Sequence, residues 1–125
     1  MKIRVYYEDT DAAGIVYYAN YLKFCERARS ELFLKNGLSP QGDDGFFVVK
    51  SLEAEYIKPA ALGDMLDVET KLEEKRGASI VLKQRVLKEQ EPLFEMRIRL
   101  AFVKDGRPAK IPSRIYSLMS SWIVS

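Results

Sequence analysis

The sequence predicts an α+β protein in which one long helix lies against a curved antiparallel β-sheet. Three observations carry that prediction. The chain opens on alternating apolar residues, a single segment then has helical period, and four strand-like segments joined by turn chemistry fill the second half. At 125 residues the chain is expected to be one domain, residues 1–125. A domain of that size buries about two thirds of the surface its unfolded chain exposes, so no metal or disulfide is required to hold it.

In "KIRVYYE", residues 2–8, Ile3, Val5 and Tyr7 alternate with polar or amphipathic neighbours, which predicts a strand. From Tyr21 the period changes: Tyr21, Phe24 or Cys25, Ala28 and Leu32 share one helical face, while Lys23, Arg27, Ser30 and Lys35 fall on others. The helix is expected to begin between Tyr17 and Tyr21, with Asn20 a candidate cap. It is expected to stop at "KNGLSP", where Gly37 suits a left-handed position and Pro40 bars resumption. After a Gly- and Asp-rich loop at 41–45, strands are predicted at 46–57, 65–75, 78–88 and 93–103. "KPAALGD", Arg76-Gly77, "KEQEP" and "KDGRP" separate or follow them. Short turns join the last three strands, which predicts an antiparallel meander. The tail "SRIYSLMSSWI" reads either as a short helix or as a frayed strand. One helix of about five turns covers one face of such a sheet, so an oligomer is expected to protect its open face and edges.

Composition narrows the function. Apolar residues at 47% and charged residues at 30% are those of a soluble globular chain. A net charge of +2 gives no strong positive field, so no nucleic-acid partner is expected. The opening turns charged too soon for a secretory signal, and no stretch approaches the roughly 18 apolar residues of a membrane span, so no integral membrane contact is expected. Cys25 is the single cysteine; it reads as a small buried helix residue, and a reducing, cytoplasmic setting suits it. The chain has no histidine. That excludes an intrachain Ser-His-Asp or Cys-His device and a histidine base, leaving carboxylates, Lys, Tyr or water for acid–base work. No metal site is expected.

Chemistry concentrates in "DTDAAGIVYYANY", from Asp9 to Tyr21. In one reading Asp9 and Asp11 only form Asx-turns or cap backbone N–H groups ahead of the helix. A hard cation held by Glu8, Asp9 and Asp11 is a second reading, on generic spacing. In the third, the helix start supplies N–H groups and a partial positive charge that stabilise an oxyanion. A carboxylate in the loop leading into it then acts on the carbonyl carbon, directly or through water, and Gly14 lets the chain approach closely. A thioester is the natural electrophile, because its thiolate leaves without a histidine acid.

The segment "YYEDTDAAGIVYYANYLKFCERAR" resembles the opening motif of the YbgC-like and 4-hydroxybenzoyl-CoA thioesterase families, which have the hotdog fold. The resemblance continues through "YIKPAALGDMLDV", "RGASIVLKQRV" and "KDGRPAKIP", nearly the whole chain. It implies a sheet wrapped around one helix, dimerisation through the sheet, and a homodimer or homotetramer. It also implies an acyl-CoA or acyl-carrier-protein thioester as substrate, with no cofactor. By the same resemblance Asp11 is the catalytic carboxylate and the backbone N–H of Tyr18 the donor to the thioester carbonyl. Asp9 orients the loop, and Glu26 supports the site from the helix. YbgC-like members commonly carry histidine at the position of Tyr18, whereas the hydroxybenzoyl branch has tyrosine.

A CoA thioester needs a cationic rim for its phosphates. Lys58, Arg76, Lys83, Arg107 and Lys110 are candidates, and Arg76 with Ser79 matches the segment that contacts the nucleotide in relatives. Arg97 and Arg99 alternate with Met96, Ile98 and Leu100 and are expected on a solvent face. Gly14 and Tyr17 are candidate substrate contacts. Tyr17, Phe46, Phe47 and Phe94 read as acyl-pocket walls or as plain core. Two rivals use the same fold: a non-hydrolytic acyl-CoA or carrier-protein binder, which would lack the carboxylate, and a dehydratase, which would need a histidine.

Overall fold

The computed structural model describes residues 1–39, 41–42 and 45–122. The helix stop expected at Pro40, the middle of the 41–45 loop and the last three residues of the tail lie outside the described residues. The elements run β1 (Lys2–Arg4), a 3₁₀ turn (Tyr7–Asp9), α1 (Asn20–Leu34), β2 (Gln41–Gly42), β3 (Gly45–Tyr56) and β4 (Met65–Arg76). Then come β5 (Ser79–Lys88), β6 (Glu91–Lys104), β7 (Arg107–Pro108) and α2 (Ser113–Ser120). The strands form one antiparallel sheet in the order β1-β4-β5-β6-β3-β2, with β7 added beside β6.

Side chains alternate between two faces, as strand geometry requires. On the inner face the registers align Val68 with Val86 and Thr70 with Gln84. They also align Leu82 with Ile98 and Val86 with Phe94. All of these are buried against Tyr21, Phe24, Cys25 and Ala28 of α1. On the outer face Glu69 pairs with Arg85 at 2.7 Å and Glu73 with Arg97 at 2.8 Å, so Arg97 faces solvent as expected.

Two boundaries and two finer readings differ from expectation, each for a local reason. β1 ends at Arg4, not at residue 8. Val5 still bonds across to Asp64 and Gly63, but the Tyr6 N–H then donates to the Asp9 carboxylate at 2.9 Å and the chain coils into the 3₁₀ turn. Asn20 opens α1 but does not cap it; its amide donates to the Asp9 carbonyl instead. Phe33 rather than Leu32 carries the helix's last deep contact, because its ring packs on Trp122 and Phe47. Only Glu89 and Gln90, both at positive φ, make the turn within "KEQEP", so β6 begins at Glu91. Gly37 does take the left-handed position (φ +73°), and the tail is a helix through Ser120.

β3 stands apart. It is exposed along nearly all its length, and β2 pairs only with Gly45 and Phe46. Among the described residues, its outer edge from Val48 to Tyr56 therefore has no partner strand.

Candidate active site

The chain from Thr10 to Val16 doubles back on itself. Thr10 bridges Val16, the Asp11 N–H donates to the Ile15 carbonyl at 2.9 Å, and Gly14 turns the corner at φ +80°. A Cβ on Gly14 would meet nothing within 4 Å. The glycine is there for its left-handed backbone, with open space beside it.

The two aspartates of this stretch have been given opposite tasks. Asp9 is only 7% exposed. Its carboxylate accepts the Tyr6 N–H, and its carbonyl accepts both the Tyr17 N–H (3.0 Å) and the Asn20 side chain (2.9 Å). It thus ties the 3₁₀ turn to the approach to α1. Asp11 is exposed: its Oδ1 accepts the Ala13 N–H at 2.8 Å, and Oδ2 has no partner among the described residues. With Asp9 turned inward and Asp11 outward, Glu8, Asp9 and Asp11 do not gather into a cation site; the described residues hold no such cluster.

Tyr18 lies on the last turn before α1. Its backbone N–H, like that of Ala19, meets no acceptor among the described residues, while the N–H groups at Tyr17 and Asn20 that flank the pair are bonded. Its carbonyl accepts the Tyr56 hydroxyl at 2.9 Å. The aromatic rings bind this corner together: Tyr18 lies against Tyr17 and Tyr56, and Tyr56 meets Tyr21 and Phe94 edge-on. Phe94 is wholly buried and stacked on Tyr21 at 5.0 Å, which makes it core rather than pocket wall. The Tyr21 hydroxyl in turn accepts the Ala60 N–H at 3.0 Å. Burial raises the pKa of both Tyr56 and Tyr21 above the ordinary phenol value, so both stay protonated and Tyr56 remains a donor.

Beside Tyr18 opens a cleft of about 330 Å³ lined by Ile15, Tyr18, Tyr21, Tyr56, Ile57 and Lys58, among others. Its wall is overwhelmingly apolar, Tyr18 is part of that wall, and the Asp11 loop adjoins through Ile15 and Val16. An electrophilic carbonyl seated here would find a donor for its oxygen and an unpartnered carboxylate oxygen close in sequence.

The structure gathers Asp11, Gly14, Tyr17, Tyr18 and Lys58 at one end of the molecule. Lys58 also pairs with Glu91 at 3.1 Å. Arg76, Ser79 and Arg107 lie at the other end. Ser79 is level with Ala101 and Val48, and Arg107 with Lys104 just beyond, whereas Tyr56 is level with Phe94. The eight steps from Val48 to Tyr56 span about 26 Å. Arg76 is exposed and pairs with Glu74, and the Ser79 hydroxyl donates to the Arg76 carbonyl across the turn. Glu26 is about two turns along α1 from the cleft and borders a different cavity, together with Phe46 and Phe47. Tyr56 was missed by sequence reasoning; its contact with Tyr18 spans 38 positions, and no periodic pattern reports a bond of that reach.

Residues 13–95 match the family described as the Thioesterase superfamily, more than half of the chain. The chain is 44% identical to the acyl-CoA thioester hydrolase YbgC of Escherichia coli O6:H1, over 90% of this chain and 89% of that one. It is 41% identical to the acyl-CoA thioesterase YbgC of Helicobacter pylori J99, over 97% and 99%. Among solved structures, a probable thioesterase from Bartonella henselae matches with a TM-score of 0.83 at 32% identity, covering 90% of this chain and 97% of that one.

Proposed function

The chain belongs to the thioesterase superfamily and hydrolyses acyl-CoA thioesters, and we propose that it does so through Asp11 and the start of α1. The observation that supports this most is an unbonded N–H at Tyr18, a residue lining the apolar cleft, with an unpartnered carboxylate oxygen on Asp11 in the loop that adjoins the cleft through Ile15 and Val16. The thioester oxygen sits against the Tyr18 N–H and the partial positive charge of the helix start. Asp11 acts on the carbonyl carbon, by attack or by taking a proton from water. The tetrahedral oxyanion that forms is held by the N–H, and its collapse expels the CoA thiolate. Water supplies the oxygen of the acid released. The donor is backbone, so a tyrosine here in place of histidine leaves the reaction intact. The Tyr56 hydroxyl and the Asp9 backbone carbonyl hold that stretch in place. The reaction runs on the chain's own groups and water.

We further propose that the protein, one domain of residues 1–125, works as a homodimer, alone or doubled into a tetramer, in the cytoplasm. The open edge of β3 from Val48 to Tyr56 invites antiparallel pairing with a second copy. A two-fold axis near Leu52 would set Val48 of one copy beside Tyr56 of the other. The end carrying Arg76, Ser79 and Arg107 would then reach the cleft from which it is distant within one chain, offering cations for the CoA phosphates. Among the described residues no helix is long and apolar enough to cross a membrane. The reading is tested by thiol release from a panel of short, long and aromatic acyl-CoAs and the matching acyl-carrier proteins. Hydrolysis of at least one acyl-CoA is expected; binding without release would replace the enzyme by an acyl-CoA binder.

A further inference from the structure

The second cavity, about 340 Å³, lies between the later turns of α1, the start of β3 and the end of α2. Phe33, Phe47, Leu82 and Leu100 give it an apolar lining. Among the polar groups that interrupt that lining, two stand out. Arg29 reaches inward, its Nη1 donating at 2.8 Å to the Oε1 of Gln84. Gln84 is wholly buried and held by two further bonds, from its amide to the Cys25 carbonyl and to the Thr70 hydroxyl, both 3.0 Å. The guanidinium is therefore fixed in place, yet among the described residues no carboxylate pairs with it; Glu26 stands exposed at the rim. Burial lowers the Arg29 pKa, against the opposing pull of Cys25 and Glu26. The second group is Trp122, 4% exposed, whose indole N–H has no acceptor among the described residues. Buried donors are nearly always satisfied, and this orphaned indole N–H, in the same wall as a guanidinium that no carboxylate bridges among the described residues, points to an acceptor supplied by a ligand.

A path joins this cavity to the cleft at Tyr18. Val49, Leu52, Ala54 and Tyr56 of β3 lie opposite Leu100, Ile98, Met96 and Phe94, on the sheet's inner face, but are themselves exposed. They form an apolar floor running from the cleft to the cavity. Along α1, Tyr21 in the cleft and Arg29 in the cavity are about 12 Å apart. We propose that the acyl group lies along this floor, and that Arg29 and Trp122 select acyl groups bearing an oxygen acceptor (hydroxyl or carboxyl) at the far end. This rests on the thioesterase reading, with the carbonyl held at Tyr18.

The test compares dodecanoyl-CoA with its ω-hydroxy and ω-carboxy counterparts, in wild type, Arg29→Met and Trp122→Phe. A site built around polar donors rejects the analogue lacking the acceptor, so wild type is expected to favour the oxygen-bearing chains in kcat/KM by about tenfold or more. Arg29→Met should collapse that ratio, and Trp122→Phe, which keeps the ring, should reduce it. Thermal unfolding checks that each variant folds; if Arg29→Met does not, Trp122→Phe carries the test. Equal hydrolysis of the three chains by wild type, or variants that leave the ratio unchanged, would overturn the proposal. If wild type hydrolyses no thioester, acetyl-CoA included, the thioesterase reading fails instead. Calorimetric binding of 12-hydroxydodecanoate against dodecanoate, in wild type and Trp122→Phe, then decides the cavity's role: preference for the hydroxy acid, lost in the variant, supports it, and equal binding overturns it.

Discussion

Replacing Asp9 by alanine should weaken the fold, whereas replacing Asp11 two residues later should not. The Asp9 carboxylate is nearly buried and accepts one charge-assisted hydrogen bond, from the Tyr6 N–H at 2.9 Å. Such a bond is worth about 2 kcal/mol net, and alanine also strands the partly buried Tyr6 N–H. For a chain of 125 residues, about 2 kcal/mol corresponds to a fall in Tm of about 8 °C. Asparagine keeps an acceptor oxygen but not the charge, so Asp9→Asn should lose about half as much. Activity should fall with stability in both variants, because the carboxylate fixes the turn whose Asp9 carbonyl holds Tyr17 and Asn20 on either side of Tyr18. Thermal unfolding by circular dichroism, beside thiol release, reads both quantities. An Asp9→Ala protein that unfolds within about 2 °C of wild type yet has lost its turnover would refute this, and would make Asp9 a reacting group.

Tyr56→Phe removes the hydroxyl bonded to the Tyr18 carbonyl in a half-exposed setting, so kcat should fall several-fold while Tm moves by about 3 °C or less; an unchanged kcat would mean the clamp does not position the donor. Gly14→Ala meets no clash but must hold an L residue at φ +80°, a cost of about 1–2 kcal/mol seen in chemical denaturation; no loss would show that the turn relaxes freely. For Asp64, burial pushes the pKa up, but the Ala61 N–H and Lys88, 2.9 Å away, outweigh it and the net shift is downward. A depressed carboxylate stabilises above its unfolded pKa and loses that contribution as pH falls through its folded pKa. Asp64→Asn should therefore lower Tm at neutral pH, with the gap closing through the acid range; a gap constant with pH would contradict this. Burial pushes the Cys25 thiol up to about 12, so a thiol reagent at neutral pH should label it only on unfolding, and prompt labelling of the native protein would show the helix opens there.

What could be read from the sequence was whatever local chemistry decides. The alternation of β4, β5 and β6, the face of α1 and the left-handed Gly37 all follow from period and backbone preference, and all appear in place. β1 stops early because a side chain five positions past its end, Asp9 beyond Arg4, outcompetes the ladder for the Tyr6 N–H, which alternation cannot report. At the candidate site, Asp11, Gly14 and Tyr18 could be singled out from the sequence because they share one short stretch. Tyr56 and the Arg29–Gln84 pair were not: those bonds join positions 38 and 55 apart, set by how the sheet curls over the helix. Arg76 and Ser79 were legible as a turn but not as neighbours of anything, since within one chain they lie at the far end of the sheet from the cleft.

The central claim is that the unpartnered oxygen of Asp11 drives the chemistry at Tyr18. Single-turnover thiol release by Asp11→Asn, with acyl-CoA binding measured on the same protein, tests it most directly. The account predicts a fall of at least a hundredfold (about 2.7 kcal/mol of transition-state stabilisation) with acyl-CoA affinity and Tm close to wild type. Release near the wild-type rate would reduce Asp11 to a loop residue and contradict the mechanism.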